Sequence, residues 1–488
     1  MPTTMSPTRS DIYAGGRWHP ASSTGVLEII NPYSLERVGS APDANTTDVD
    51  TAVRAARAAF DDGPWRRMSA NERADLMERL ADELDARAEQ MAQLVTAEMG
   101  QPIGMSRFVN GVMPAGQLRH FAAMARDFAF EQERANIDGP GTSLIRLEPV
   151  GVAGLIVPWN FPQSIVSAKL GPALAVGCTV VIKPAGETPL NALLLAEAVD
   201  AAGFPPGVVN IVTGGRETGD ALVRHPGVDK IGFTGSTAAG RVIARNCGER
   251  LVPVTLELGG KSAAIVREDA DLDVTMAGLR ATSFMNSGQT CFLLSRVLVP
   301  RSREAELTDV LVDVARSLRL GDPADESTEQ GPLVSERIRS RVAGLVDAAR
   351  DRGARILTGG TALAGELGYF YQPTIIAGVS PDDPIAQDEI FGPVVVVLPY
   401  QDDADAIRIA NNSRYGLGGA VFTTDPAAGL EMARAVETGT LGINGYVPDL
   451  ATPFGGYKDS GLGREQGHEV LFNYLNTKAI YTSIGGAA

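Results

Sequence analysis

Three side chains in this sequence could together perform acyl-type chemistry. Cys291 lies in NSGQTCFLLSR, residues 286–296, where Ser287, Gly288, Gln289 and Thr290 are small or polar, as an accessible thiol requires. A thiolate is a strong protein nucleophile. Free cysteine is also among the most buried residue types. Cys178, within ALAVGCTVVIK, and Cys247, which has no flanking polar cluster, read as structural. Glu257, in VTLELGGKS, ends an apolar run just before two glycines. Carboxylates at strand ends are commonly solvated, but one desolvated beside Gly-rich backbone has its pKa raised toward neutrality and can act as a general base on water. Asn160 sits in PWNFP, where Pro158 and Pro162 stiffen the backbone. That pattern makes an ordinary turn, or it holds a rigid amide N–H toward a developing alkoxide.

Two further segments suit a phosphate-bearing ligand. Gly235 to Gly240, GSTAAG, lies between a strand and a helix and lets backbone amides approach a pyrophosphate at the helix N-terminus. It lacks the full GxGxxG spacing, and a Gly-rich strand-to-helix turn can simply make the turn. Lys183 follows a strand in VVIKPAGETP and reads either as a contact to a ribose or phosphate or as a solvated charge. The three cysteines form no CxxC pair, and the four histidines, His19, His120, His225 and His468, are far apart in sequence. No structural zinc or other metal site and no disulfide scaffold is expected. A base must therefore come from Asp, Glu or Lys.

These residues need elements to place them. Short strands are expected at Ile12–Trp18 and Leu27–Ile30. A helix follows the capping candidates Thr46 and Thr47, a second starts at the capping box Ser69 and Glu72, and Gly100 is a natural stop. From Val150 the texture becomes apolar β-rich runs alternating with helices: GVAGLIV, CTVVIK, a helix ended by Gly203, VVNIVTG, then Lys230 to Phe233, a helix to about Cys247, and a strand to Glu257. Such alternation predicts a parallel sheet covered by helices, here Rossmann-like. A second α/β rhythm runs on to Asp459, with FGPVVVVLPY and GGAVFTTD as strands and ADAIRIANN as a helix. Strands near Ser143–Leu147 and Ala479–Ser483 lie outside both rhythms and suit arms that pair with another subunit.

The composition is that of an ordinary folded protein. At 488 residues the chain exceeds one hydrophobic core. The 43 Lys plus Arg against 59 Asp plus Glu give a net charge of −16, which disfavours nucleic acid and anionic membrane surfaces as partners. The N-terminus lacks the apolar core of a signal peptide, and the longest apolar stretch, Ser164 to Ile182, carries Lys169 and Pro172. A cytoplasmic location is expected.

Taken together, PWNFP, KPA, FTGST, ELGGKS, GQTC, EIFGPV and PFGGYKDSGLGRE occur in the order seen in the aldehyde dehydrogenase superfamily, and the chain closely resembles that family over nearly its whole length. The 34-residue separation of Glu257 from Cys291 is similar too. The resemblance implies an α/β fold: a Rossmann-like cofactor domain (11–128 and 151–257), a second α/β catalytic domain (258–459), and a small β oligomerisation arm with a C-terminal tail (129–150 and 460–488). It implies Cys291 as nucleophile, Glu257 as the base for the deacylating water, Asn160 with the Cys291 backbone N–H as oxyanion hole, and Glu465 as a second carboxyl relaying protons. Ile156, Pro158, Trp159, Lys183, Gly235, Ser236, Glu389 and Phe391 match positions lining the dinucleotide site. NAD is the expected cofactor. Gly186 stands where the family usually carries a glutamate that disfavours a 2′-phosphate, with Glu187 one place later, so NADP stays admissible. Phe161, Ile165, Ala168, Thr290, Phe292 and Phe454 resemble the substrate tunnel and imply an uncharged aldehyde, with Ala168 widening the tunnel. A homodimer or homotetramer is implied. A CoA-acylating semialdehyde dehydrogenase is disfavoured by Glu257, a non-catalytic cofactor-binding protein by the intact Cys291, Glu257 and Asn160, and a cysteine ester hydrolase by the lack of a histidine in a motif with Cys291.

Overall fold

The computed structural model describes residues 8–138, 141–363 and 368–481. Two sheets dominate it, and both grow from near-continuous apolar runs. Val152–Ile156 (VAGLI), Thr179–Lys183 (TVVIK) and Lys230–Thr234 (KIGFT) are buried along almost their whole length, as strands covered on both faces must be. Alternation sorts their side chains: Val180 and Ile182 enter one core cluster with Leu170 and Leu174, while Val181 faces the opposite cluster with Ile231 and Leu256.

Across the first sheet the order is Arg17–Pro20, Asp11–Ala14, Val209–Ile211, Thr179–Lys183, Val152–Ile156, Lys230–Thr234, Val254–Glu257 and Gly461–Leu462. The five central strands, from Val209–Ile211 to Val254–Glu257, are parallel. Val152–Ile156 comes first in the chain of these five yet lies in the middle, so the direction of winding reverses between it and Lys230–Thr234. Open sheets of this kind bind ligands beyond the carboxyl ends of their strands at that reversal. The expected single strand over Ile12–Trp18 is instead a hairpin, Asp11–Ala14 with Arg17–Pro20, because Gly15 and Gly16 adopt positive φ. The first long helix, Thr46–Asp61, is capped by Asn45 rather than by Thr46 or Thr47; the Asn45 and Asp48 side chains exchange capping bonds with each other's backbone. The Ser69 and Glu72 box and the Gly100 stop form as expected.

The second sheet runs Arg355–Thr358, Thr374–Ala377, Val394–Tyr400, Leu294–Pro300, Ser262–Val266, Gly419–Phe422, Gly442–Ile443, parallel except at its first pair. Its valines divide as the pleat demands: Val394 and Val396 pack with Val342 and Val346, Val395 and Val397 with Leu307 and Leu311. The chain passes from the first sheet to the second within Leu258–Lys261, between Val254–Glu257 and Ser262–Val266.

A third, antiparallel sheet joins Glu131–Ala135, Thr142–Pro149 and Leu475–Tyr481. The expected arm-and-tail segment 460–488 thus divides. Gly461–Leu462 extends the first sheet, Val470, Leu471 and Tyr474 enter its core, and only Leu475–Tyr481 joins the small sheet. Thr482 and Ser483, in the strand expected there, lie outside the described residues. Among the described residues no helix is long and apolar enough to cross a membrane.

Candidate active site

The two sheets meet end to end. Register in the first sheet aligns Lys183 with Ile156 and Ile156 with Phe233, and Thr234 with Glu257, all at carboxyl ends of parallel strands. In the second sheet the amino ends face this row: Gly259–Lys261 precede Ser262–Val266, Cys291 precedes Leu294–Pro300, and Glu389 with Phe391 precede Val394–Tyr400. Ser262 pairs with Leu294, so Gly260 passes against Cys291. A Cβ on Gly260 would lie 2.3 Å from the Cys291 carbonyl oxygen, and one on Gly259 2.4 Å from the Glu389 carboxylate. Glycine at both positions is therefore a matter of space.

The Cys291 thiol is partly exposed. Burial raises its pKa, and the nearby carboxylates of Glu257 and then Glu389 raise it further. The segment before it is strained: Asn286, Ser287 and Gly288 take φ of 53°, 54° and 76° in succession. Left-handed backbone costs about 1 kcal/mol or more per non-Gly residue, so surrounding bonds must hold it. Ser287 donates to the Gly331 carbonyl (2.8 Å), Gln289 accepts from Val334 N–H (2.9 Å), and Thr290 donates to the Met285 carbonyl (3.2 Å). A Cβ on Gly288 would fall 1.9 Å from the Gly392 carbonyl oxygen. Gly288→Ala is expected to destabilise the protein by about 3 kcal/mol or more and to abolish activity. A thermal melt matching wild type would show that this loop yields freely.

Asn160 follows Val152–Ile156 and is buried. Its Nδ2 donates to the Gln289 carbonyl at 3.0 Å, which ties it to the thiol segment. An amide nitrogen has two hydrogens, so one is left to donate toward a substrate oxygen.

Glu257 is buried, not solvated, and its oxygens accept no hydrogen bond from the described residues. Burial raises its pKa well above the carboxylate range, and the Glu465 charge adds to this while Lys169 opposes it. A Cβ on Gly455 would lie 2.4 Å from Glu257 Oε1, so the carboxylate crosses where that glycine leaves room. Glu465 pairs with the fully buried Lys169 on the helix Pro162–Val176. Lys169 is the residue of this charged cluster that the motifs did not single out. Its signal was a lysine inside the longest apolar stretch, where an unpaired charge would be costly.

The residues expected to line a dinucleotide site lie on neighbouring elements. Trp159 and Phe391 meet edge to face with centroids 5.4 Å apart, and Phe391 takes a positive φ of 60°. Ile156 packs with Phe233 and Leu258. Ser236 caps the helix Thr237–Glu249 by accepting from Ala239 N–H, and Gly235 N–H donates to the Glu257 carbonyl. Lys183 is buried, not solvated; its Nζ donates to the Pro184 carbonyl, and burial lowers its pKa to about 8. Glu389 accepts from Gly260 N–H at 3.1 Å, and burial raises it to about 7. Buried Lys261 beside it has no hydrogen-bond partner among the described residues and is lowered to about 7 by burial and by Arg296. Phe292 lies edge-on to Tyr446 and Phe454, centroids 5.4 and 6.0 Å away, and forms an apolar wall beside the thiol.

Comparison with known proteins finds relatives along nearly the whole chain. The chain is 44% identical over 477 residues to geranial dehydrogenase of Castellaniella defragrans, spanning 98% of this chain and 99% of that protein. It is 42% identical to human mitochondrial aldehyde dehydrogenase, spanning 97% and 92%. The crystal structure of Mycobacterium tuberculosis aldehyde dehydrogenase complexed with NAD+ superposes with a TM-score of 0.95 at 42% identity, covering 98% of this chain and 99% of that one. An NAD+ complex of the Bacillus cereus enzyme gives 0.95 at 40%, covering 98% and 97%. Residues 18–480 match the model of the aldehyde dehydrogenase family, and the chain belongs to that family.

Proposed function

We propose that this protein oxidises an uncharged aldehyde to its carboxylic acid, with NAD as hydride acceptor and Cys291 as the covalent nucleophile. The observation that carries the reading is the convergence of Cys291, Asn160 and the unpartnered carboxylate of Glu257 where the two sheets meet.

The residues at the reversal of the first sheet fit a dinucleotide. Lys183 has donors to spare beyond its bond to Pro184, the 13-residue helix Thr237–Glu249 opens beside the crevice, and Glu389 stands ready to accept from a ribose hydroxyl. Bound there, NAD supplies the acceptor for the hydride. The Cys291 thiol gives up its proton to solvent water, the thiolate adds to the carbonyl carbon, and Asn160 Nδ2 with the Cys291 backbone N–H holds the resulting oxyanion. Loss of hydride collapses this adduct to a thioester. Glu257 then takes a proton from water, the water attacks the thioester, and Cys291 leaves as thiolate with the acid. Glu465, paired with Lys169 and close enough to raise Glu257, offers an onward path for that proton.

The aromatic wall at Phe292, Phe454 and Tyr446 supports an apolar aldehyde, and the relative named for geranial, an uncharged aldehyde, points the same way. A Cβ added at Gly186 would make only ordinary contacts, 3.9 Å from the Gly214 carbonyl oxygen and Leu27, and Glu187 pairs with Arg337, so no carboxylate stands at Gly186 to repel a 2′-phosphate. NADP is then a secondary cofactor. The three-stranded arm suits pairing with a second copy as a dimer or tetramer, and the location is cytoplasmic.

The test is a panel of uncharged aldehydes with NAD and NADP in parallel, following reduced nicotinamide and free acid. Acid formed in step with reduced NAD is the expected result. Turnover that requires CoA and yields an acyl-CoA would overturn the hydrolytic reading.

A further inference from the structure

A chain of buried polar side chains runs from Glu98 to Asn160. Glu98, at the end of the helix Ala88–Met99, accepts from the Leu190 and Asn191 backbone N–H groups at 2.6 and 3.1 Å and from Asn191 Nδ2 at 2.8 Å. Asn191 Oδ1 accepts from Gln163 Nε2 at 2.6 Å. The Gln163 backbone N–H donates to Asn110 Oδ1 (3.3 Å), Asn110 Nδ2 donates to Gln101 Oε1 (2.7 Å), and Gln101 Nε2 donates to the Asn160 carbonyl (3.4 Å). Asn286 Nδ2 reaches the same carbonyl at 3.1 Å. Glu98, Gln101, Asn110, Asn160, Gln163, Asn191 and Asn286 are all nine-tenths or more buried.

The direction of this chain is fixed by its ends. A backbone N–H can only donate, so Asn110 must turn its oxygen to Gln163 and its nitrogen to Gln101. A backbone carbonyl can only accept, so Gln101 must turn its nitrogen to Asn160. Every amide orientation between Gln163 and Asn160 follows. Asn160 itself is then held at both ends: its carbonyl accepts from Gln101 and Asn286 while its Nδ2 donates to Gln289. Buried polar groups are costly unless paired, and a satisfied network rigidifies what it touches.

We propose that Gln101 and Asn110 are positioning residues for aldehyde oxidation, acting through Asn160 to aim its free amide hydrogen at the oxyanion. This rests on the reading of Asn160 as the oxyanion donor. Asn110 lies in the π-helical segment Arg107–Val112, whose wider turn sets it inward, with Gly111 packed against Ala88.

The experiment is a double-mutant cycle of Gln101→Met with Asn160→Ala, read as kcat/KM for an uncharged aldehyde with NAD, since that quantity reports the oxyanion-forming steps. Alkylation of Cys291 by iodoacetamide forms no oxyanion and serves as the control, together with NAD affinity. Gln101→Met is expected to lower kcat/KM by about tenfold with alkylation rate and NAD affinity unchanged, and to cause no further loss in the Asn160→Ala background. Asn110→Asp keeps the shape but forces the Gln101 nitrogen toward the new carboxylate, turning an oxygen on the Asn160 carbonyl; it is expected to give a similar loss and stands in should Gln101→Met misfold. Equal losses in both backgrounds, or no loss in either variant, would overturn the positioning role while leaving the oxyanion reading intact. Full activity in Asn160→Ala alone would overturn both.

Discussion

Cys291→Ala is expected to lower kcat/KM for aldehyde oxidation by about 10⁴-fold or more while leaving NAD affinity unchanged. In the proposed reaction the thiol is the nucleophile that makes hydride a leaving group, and no other cysteine can replace it: Cys178 and Cys247 are buried in the cores on either side of the first sheet. Burial pushes the Cys178 thiol up to about 12. The residues proposed to hold the cofactor lie on different elements, so binding should survive, measured by calorimetry on the variant. Residual turnover above about one part in a hundred would mean that hydride leaves without a covalent adduct.

Glu257→Gln is expected to lower kcat by about 10²- to 10³-fold while preserving a rapid first turnover. In the proposed reaction adduct formation and hydride loss do not use Glu257, so one equivalent of reduced cofactor per thiol should appear as a burst, followed by slow hydrolysis of the thioester. Rapid quench and absorbance separate the two phases. Removing the charge also relieves Cys291 of a neighbour that raises its pKa, so the pH profile of iodoacetamide alkylation should move to lower pH. In wild type the carboxyl is raised by burial and accepts a proton only once ionised, so the deacylation rate should increase as pH rises through its titration. A variant that loses the burst along with steady-state turnover would place Glu257 before hydride transfer instead.

Much of this was legible in the chain. The alternation of β-rich runs and helices from Val150 gave the parallel sheet, because buried strands must be apolar on both faces. The motifs around Asn160, Glu257 and Cys291 singled out the groups that the structure brings to the meeting of the two sheets. What the chain could not display was exposure and approach. Glu257 sits at a strand end, where solvation is the usual state, and only the passage of Gly455 and the second domain over it reveals its burial. Gly259 and Gly260 look like a turn until the pairing of Ser262 with Leu294 brings Cys291 alongside. The amides of Asn110 and Gln163 are scattered among ordinary helical residues and Gln101 sits in a short loop, and their connection exists only after two helical segments and that loop have packed together. Asn45 displaced Thr46 as a cap because a capping box needs a carboxylate three residues on, and Asp48 provides it.

The most direct measurement is peptide mass spectrometry on Glu257→Gln quenched during the burst with aldehyde and NAD. A single adduct on Cys291, heavier by the aldehyde less one hydride and one proton, is the expected thioester. Reduced cofactor formed with no such adduct, or with the adduct on another residue, would contradict covalent catalysis by Cys291.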